Sequence, residues 1–293
     1  MSTDTAAVSS PVAGRHTPTR HLVRPHGGGM AALWTYMFVT TRPYFKIAAL
    51  SQIGAPLLYL LSLGIGLGSL VNGRSGGQSL GTSYLSFLAP ALIVATALQV
   101  AVGQAMYPIL FGGFKFQRIY YGMNATPLRP QQIADGVLAW IAARSAVSAA
   151  LYLAVVACFG GARSAGVLLC VPIAALGAMA LAAPVAVYSA TVETERGGFA
   201  AILRFLVMPM FLFSGTFFPV SALPGWGQAL AWLSPLWHAT ELARWASLGP
   251  LHLRSGIGQV SGAALLGHLA FLTVLTVGGV LLTRWRFDVR LSR

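Results

Sequence analysis

The chain has 293 residues, of which 56% are hydrophobic and 9% charged, against roughly 25% charged in ordinary soluble domains. That composition excludes a soluble globular domain and reads as an integral membrane protein. A formal net charge of +13 does not imply a nucleic-acid partner, because the arginines are scattered between apolar runs and form no basic stripe with interleaved aromatics.

Residues 1–29 are dominated by Ser, Thr, Pro, Gly, His and Arg, with Asp4 the only acid. They contain no apolar stretch of the kind a cleavable signal needs, and read as a disordered cytoplasmic tail. His16, His21 and His26 read as solvated groups within it. Residues 30–293 read as a single transmembrane domain. In Met30–Lys46, the residues Met30, Leu33, Trp34, Met37 and Phe38 share one helical face, and Arg42 and Lys46 close the segment. This predicts an amphipathic helix over 30–46 lying along the cytoplasmic interface; a simple extension of the first span is the other reading.

Six apolar runs follow, each near the roughly 20 residues a bilayer crossing requires: Ile47–Leu70, Tyr84–Phe111, Val137–Phe159, Gly166–Ala190, Phe199–Phe218 and Ser261–Thr283. The fold class is therefore all-α, with six transmembrane helices. Between the last two runs, residues 219–260 are too apolar for a surface loop and too broken for a span. Pro219, Pro224 and Pro235 each remove a backbone donor, and broken helices at membrane depth persist only when packed in protein or lining a cavity. Lys and Arg distribution decides between a seventh span and a hairpin. With six spans, the cytoplasmic side receives Arg15, Arg20, Arg24, Arg42, Lys46, Lys115, Arg118, Arg129, Arg196, Arg284, Arg286, Arg290 and Arg293, whereas the outer side receives only Arg74, Arg163, Arg244 and Arg254. This positive-inside bias predicts both termini in the cytoplasm of a multi-pass plasma-membrane protein, and a re-entrant hairpin that enters and leaves from the outer face. Arg144, about 10 Å into its span at ~1.5 Å per residue, and Arg204 either snorkel to the interface or face a subunit contact or an anionic substrate group.

Residues able to carry chemistry are few. No phosphate-binding loop is present, since neither Lys46 nor Lys115 has the required glycine and hydroxyl context. Gly64 and Gly68 form only a G-x-x-x-G pair, a common helix-packing feature. Ser214 lacks the frame of a nucleophile elbow. His238 and Glu241 stand one helical turn apart without further metal-ligand candidates nearby. Cys158 and Cys170 lie in apolar runs and read as buried thiols. Neither an intrinsic ATPase nor a hydrolase is expected, and no metal or cofactor is assigned to this chain. No acid occupies a span interior, which disfavours an ion-coupled secondary carrier but leaves it as the alternative. Energy is then expected from a partner, and the cytoplasmic connection Gly112–Gly136 is the place for it to dock. Tyr120, Tyr121, Met123 and Leu128 offer apolar anchors beside Arg118 and Arg129, with a turn at Asn124, Thr126 and Pro127.

The segments SGTFFPVSALPGW and SPLWHATELAR resemble the re-entrant region of type 2 ABC transporter permeases, through Ser214, Gly215, Phe218, Pro219, Leu223, Pro224, Pro235, Leu236, His238 and Arg244. Ala125–Leu128, ATPL, is similar to a segment in that family's cytoplasmic loop. The first run, APLLYLLSLGIGLGSLV, resembles the subgroup containing nodulation lipo-oligosaccharide and daunorubicin-type exporters. One departure is that Asp135 precedes Gly136 where many relatives carry an acid after the glycine.

The resemblance implies the membrane subunit of an ATP-driven exporter of an amphiphile, a hydrophobic drug or a lipid-linked glycan. It implies a second permease subunit and two copies of an ABC ATPase subunit, which would hold ATP and magnesium. By the same analogy the coupling loop uses Arg118, Tyr120, Tyr121, Asn124, Thr126, Pro127 and Leu128. Ser214, Gly215, Pro219, Pro235, His238, Glu241 and Arg244 form an outer gate, and Tyr59, Phe211, Phe213 and Phe217 line a lateral path. Plain packing is the competing role for each of these aromatics.

Overall fold

The structure is a computed structural model that describes residues 28–44, 84–160, 164–194, 196–249 and 262–292, together with single positions between 46 and 66. Most of the first apolar run, including Tyr59, Gly64 and Gly68, lies outside the described residues. So do residues 1–27 with their three histidines, Arg74, Arg163 and Arg254.

Every regular element among the described residues is helical. Helix α1 spans Gly28–Thr41 and ends in a 3₁₀ turn, Arg42–Tyr44. Helix α2 runs over Tyr84–Lys115, its last part, Pro108–Lys115, wound as a wider π-helix. The short α3, Ile119–Asn124, leads into α4, Pro130–Cys158, and α5, Ala165–Thr191. Next comes α6, Gly198–Phe213, then α7, Gly225–Trp232, α8, Pro235–Leu248, and α9, Gly262–Leu291. Helices α2, α4, α5 and α9 are long and apolar enough to cross a membrane, and α6 is shorter.

Local chemistry sets these boundaries. Pro130 opens α4 at the first helical position, where its missing N–H costs nothing, and the Arg129 N–H donates to Gln132 Oε1 at 3.0 Å. Ser234 caps α8, accepting from the Trp237 N–H, again with proline in first place. Within α6, Pro209 cannot donate to the turn before it, and the ladder opens into a π turn at Ile202–Val207, the usual accommodation for a lost bond. The expected fifth span, Phe199–Phe218, is in fact five residues shorter at its end. Helix α6 stops at Phe213 because Gly215 turns the chain with φ of +73°, a conformation open to glycine but costly for other residues.

The core lies between α2 and α5, with α4, α8 and α9 packed around them. Phe87, Leu88, Ile93, Leu98, Met106, Ile109 and Leu110 of α2 are all sealed from the surface. Small residues set the closest approaches, as expected where packing rather than a hydrophobic driving force holds helices together. A β-carbon added at Gly166 would lie 2.0 Å from the Ala246 carbonyl oxygen, and one at Gly177 would lie 2.4 Å from Ala239 Cβ. Helix α8 therefore runs antiparallel to α5, with its N-terminal end beside the middle of that long helix. Leu33 of α1 fits against Gly136 of α4 in the same way, and Trp34 meets Trp140 edge-on at 6.2 Å. The apolar residues of α1 are divided between faces, since Leu33 is buried while Phe38 and Val39 are exposed.

Adjacent glycines in α9 provide a test of this packing. A β-carbon at Gly279 would lie 2.7 Å from Ala183 Cβ and 2.9 Å from Pro184 Cδ, whereas one at Gly278 would meet nothing within 4 Å. Gly279→Ala is expected to destabilise the purified protein by about 1–3 kcal/mol through overpacking. Gly278→Ala is expected to be neutral or to stabilise by about 0.5–1 kcal/mol. Thermal unfolding of the two variants in one detergent compares them directly.

Candidate functional site

The residues singled out between Ser214 and Arg244 converge on one buried guanidinium. Arg244 projects from the last turns of α8 and is 0% exposed. Its Nη2 donates to the carbonyls of Gly215 at 2.5 Å and Thr216 at 3.3 Å, and its Nε to the Phe87 carbonyl at 3.3 Å. Nη1 bonds Glu241 Oε1 at 3.2 Å, one turn earlier on α8. The guanidinium carbon lies 3.7 Å from the centre of the Phe87 ring, a cation–π contact that strengthens once water is excluded. A buried charge persists only when paired and hydrogen-bonded, and the arginine fork meets that condition with several directed donors.

The turn that supplies these carbonyls is itself fixed. A β-carbon at Gly215 would meet Val220 Cγ2 at 2.8 Å. Ser214 at the end of α6 and Ser234 at the start of α8 are buried, with hydroxyl oxygens 2.5 Å apart. The Tyr84 hydroxyl, at the beginning of α2, donates to the Phe217 carbonyl at 3.1 Å. Pro219 precedes the short turn Val220–Ala222, and Pro235 is buried as the first residue of α8. Thus Ser214, Gly215, Glu241 and Arg244 belong to one constellation.

His238 lies apart from it. Its Nε2 is 2.9 Å from the Trp232 carbonyl and its Nδ1 is 2.7 Å from Nδ1 of His268 on α9. Because a carbonyl only accepts, Nε2 of His238 carries a proton; its Nδ1 then accepts from the Nδ1–H of His268. His238 also stacks on Phe271 at 4.0 Å. It ties the α7–α8 corner to α9, and among the described residues no three His, Cys, Asp or Glu side chains group as a metal site.

The aromatics expected to line one path do not share a face. Phe211 and Phe217 meet edge-on at 5.2 Å, whereas Phe213, two residues along α6, contacts Trp226 of α7 at 5.8 Å. Residues two apart on a helix point in different directions. Arg144 is half-buried on α4 and Arg204 exposed on α6.

On the opposite side of the bundle, the α2–α4 connection is divided between inward and outward groups. Tyr120 is turned inward and buried, meeting Phe114 at 5.0 Å and Phe287 of α9 at 5.3 Å; burial pushes its phenol up from the ordinary range. Gly113 makes this possible, since a β-carbon there would lie 2.0 Å from the Tyr120 ring. Asn124 Nδ2 donates to the Leu291 carbonyl at 3.0 Å, and Thr126 Oγ1 to Met123 at 2.6 Å. Pro127 and Leu128 are half-buried. Arg118, with φ of +50°, is exposed, and its guanidinium lies 5.0 Å over the Tyr121 ring. The outward surface is therefore Arg118, lying over the half-buried Tyr121 ring, with exposed Phe116 nearby in sequence.

Sequence reasoning missed the end of α9. Arg290 Nη1 donates to the carbonyls of Ala190 and Val192 at 2.8 and 3.1 Å, at the C-terminus of α5, where a cation is favoured. Its guanidinium also covers Phe114 at 4.1 Å. Arg284 pairs with Asp135 at 2.5 Å, which gives that displaced acid a partner. The spacing of Arg284, Arg286 and Arg290 was visible, but as a topology signal only.

These features define a multi-pass helical membrane protein with a buried polar anchor at one side and a braced connection at the other. Comparison with known proteins gives its family. Residues 30–248 match the ABC-2 type transporter family, and the chain belongs to that family as a membrane permease component. It is similar to Nodulation protein J of Rhizobium leguminosarum bv. trifolii, with 32% identity over 218 residues, 74% of this chain and 80% of the relative. Nodulation protein J of Bradyrhizobium diazoefficiens is 29% identical over 246 residues, covering 84% and 87%. That of Rhizobium meliloti is 27% identical over 237 residues, covering 80% and 88%. No solved structure matches the chain.

Arg244→Ala removes the cation that faces Glu241 and leaves carbonyls in the turn without their donor. Breaking a buried ion pair from one side costs about 3–5 kcal/mol, so thermal stability is expected to fall sharply. Replacing Glu241 by Gln in the same variant is expected to restore part of the loss. Equal unfolding temperatures for the wild type and Arg244→Ala would contradict the anchor assigned to this residue.

Proposed function

We propose that the chain is the membrane subunit of an ATP-driven exporter that moves an amphiphilic molecule, a hydrophobic drug or a lipid-linked glycan, out of the cytoplasm or inner leaflet. A separate ABC ATPase subunit, in two copies, binds ATP and magnesium, and a second permease subunit completes the assembly. One observation carries this reading: the α2–α4 connection presents exposed Arg118 over the half-buried Tyr121 ring while Tyr120 and Asn124 lock it to α9. A partner pressing on that surface moves helix ends, not a loose loop. Tyr120 serves here as an internal brace.

The topology proposed with it has six spans, both termini in the cytoplasm, and α1 at the cytoplasmic interface. Residues 219–260 form a hairpin that enters and leaves from the outer face. Its support is the antiparallel pairing of α8 with α5: Gly166 abuts Ala246 and Gly177 abuts Ala239. Gly177 lies about 18 Å along α5 from its first turn, at ~1.5 Å per residue. Arg244 then braces an outer gate, and the Ser214–Ser234 contact links α6 to that gate.

Among the described residues the His238–His268 pair is the feature that favours an ion-coupled carrier, since paired ionisable rings at membrane depth mark proton pathways. Transport that collapses with the proton gradient and survives loss of ATP would establish that reading instead.

Purified alone, the chain is expected to hydrolyse no ATP above background, and a co-purified ATPase partner is expected to show hydrolysis stimulated by amphiphiles. Substantial hydrolysis by the chain alone would overturn the division of labour. Arg118→Ala and Tyr121→Ala are expected to reduce coupled transport by about tenfold, the effect of losing ~1.4 kcal/mol of interface energy, with membrane insertion intact. Unchanged ATPase association and transport would remove the docking role from that surface.

A further inference from the structure

Between α5, α6, α9 and the α7–α8 corner lies a cavity of about 380 Å³, lined chiefly by apolar residues including Pro184, Leu206, Phe213, Leu233 and Leu275. We propose that it is a binding site for one acyl chain of a resident bilayer phospholipid, and that Phe213, which the resemblance assigns to a cargo path, faces this lipid instead.

The lining selects hydrocarbon. Its polar side chains are Ser214 and Ser234, and their hydroxyls already bond each other. Among the described residues its lining contains no charged side chain, so a polar head group entering it would lose hydration and gain no partner. Cavities of ~150 Å³ lined by aliphatic and aromatic side chains stay dry and accept apolar guests, and this one is more than twice that size.

Position selects a lipid over other apolar guests. Leu275 lies near the middle of α9 and Pro184 inside α5, so the cavity sits at membrane depth, where acyl chains are the solvent. Leu206 and Leu233 at its edge are 45% and 73% exposed, which leaves a lateral mouth. Trp226, at the start of α7, is 62% exposed, and tryptophans are enriched at the head-group level of a membrane protein. A lipid with its head beside α7 would drop one tail past Leu233 into the cavity.

An acyl chain here would lie against the Ser214–Ser234 contact, and would thereby hold α6 at a fixed distance from α8. Lipid occupancy would thus bear on the hairpin without any contact to the coupling loop.

The test uses the full chain in phosphatidylethanolamine–phosphatidylglycerol vesicles containing a trace of phosphatidylcholine with a diazirine midway along one acyl chain. After irradiation, adducts are mapped by mass spectrometry. They are expected to concentrate in peptides covering 202–214 and 230–235, over the level on the exposed face of α4. Ala180→Phe, which fills the cavity from α5, is expected to lower that excess by about tenfold, while α4 labelling stays constant. Leu206→Trp, at the mouth, provides a second filling variant if the first does not fold. Even labelling of all lipid-facing helices, unaltered by either variant, would overturn the site. Displacement of the probe by a sugar-headed amphiphile at equal mole fraction would assign the cavity to cargo, and adducts replaced by contacts between two copies would assign it to a subunit interface. Either result would refute a lipid site. Labelling requires neither ATP nor an ATPase partner, so its outcome is independent of the export reading.

Discussion

Holding a guanidinium inside an apolar helical bundle is unfavourable by several kcal/mol unless its donors are engaged, and the region from Ser214 to Leu248 is arranged around meeting that demand at Arg244. Carbonyls of Gly215, Thr216 and Phe87 and the Glu241 carboxylate converge on it, with the Phe87 ring against its face. These acceptors come from α2, from the turn after α6 and from α8 itself. One side chain thereby fixes the relation of three elements that α6 alone, with its π turn and early end, would leave weakly defined. The positive φ of Gly215 and the Ser214–Ser234 contact follow from the same need to aim carbonyls inward.

A second set of contacts governs the other end of the bundle. There α9 extends beyond its apolar stretch, and its arginines engage neighbouring helices, Arg290 closing off the carbonyl end of α5 and Arg284 pairing with the Asp135 carboxylate of α4. Phe287 completes the aromatic group under Tyr120. Helix α9 also carries His268, which meets His238 of α8. One continuous helix therefore touches both regions that the proposed export cycle would have to coordinate. The ABC-2 match ends at residue 248, so the α9 side of each contact lies beyond the match while its partner lies within it.

Much of the helical layout was legible in the sequence because it rests on local signals. The apolar runs containing α2, α4, α5 and α9 reflect bilayer length, and Pro130, Pro209 and Pro235 mark boundaries or irregular turns through their missing donor. What escaped depends on pairs distant in sequence. Arg244 counted as an outer charge, and nothing near it in sequence reveals that Phe87 lies beneath it. Tyr120 and Tyr121 are chemically near-identical neighbours, yet Gly113 and Phe287 draw one fully inward and leave the other half-buried. The link between Asn124 and Leu291 joins residues far apart in the chain. Phe211 and Phe213 were grouped through the family resemblance, and helix geometry separates them. Tyr59, the remaining residue of that group, lies outside the described residues.

The central claim is that the segment anchored by Arg244 is a hairpin whose two ends lie on one side of the membrane. With Cys158 and Cys170 replaced by Ala, single cysteines at Trp226, Ser247 and Arg286 can be probed on intact cells with a membrane-impermeant maleimide. The account predicts that Trp226→Cys and Ser247→Cys both label from outside, and that Arg286→Cys labels only after lysis. Labelling of Ser247→Cys only after lysis, with Trp226→Cys accessible from outside, would mean that the segment crosses the membrane, and would contradict it.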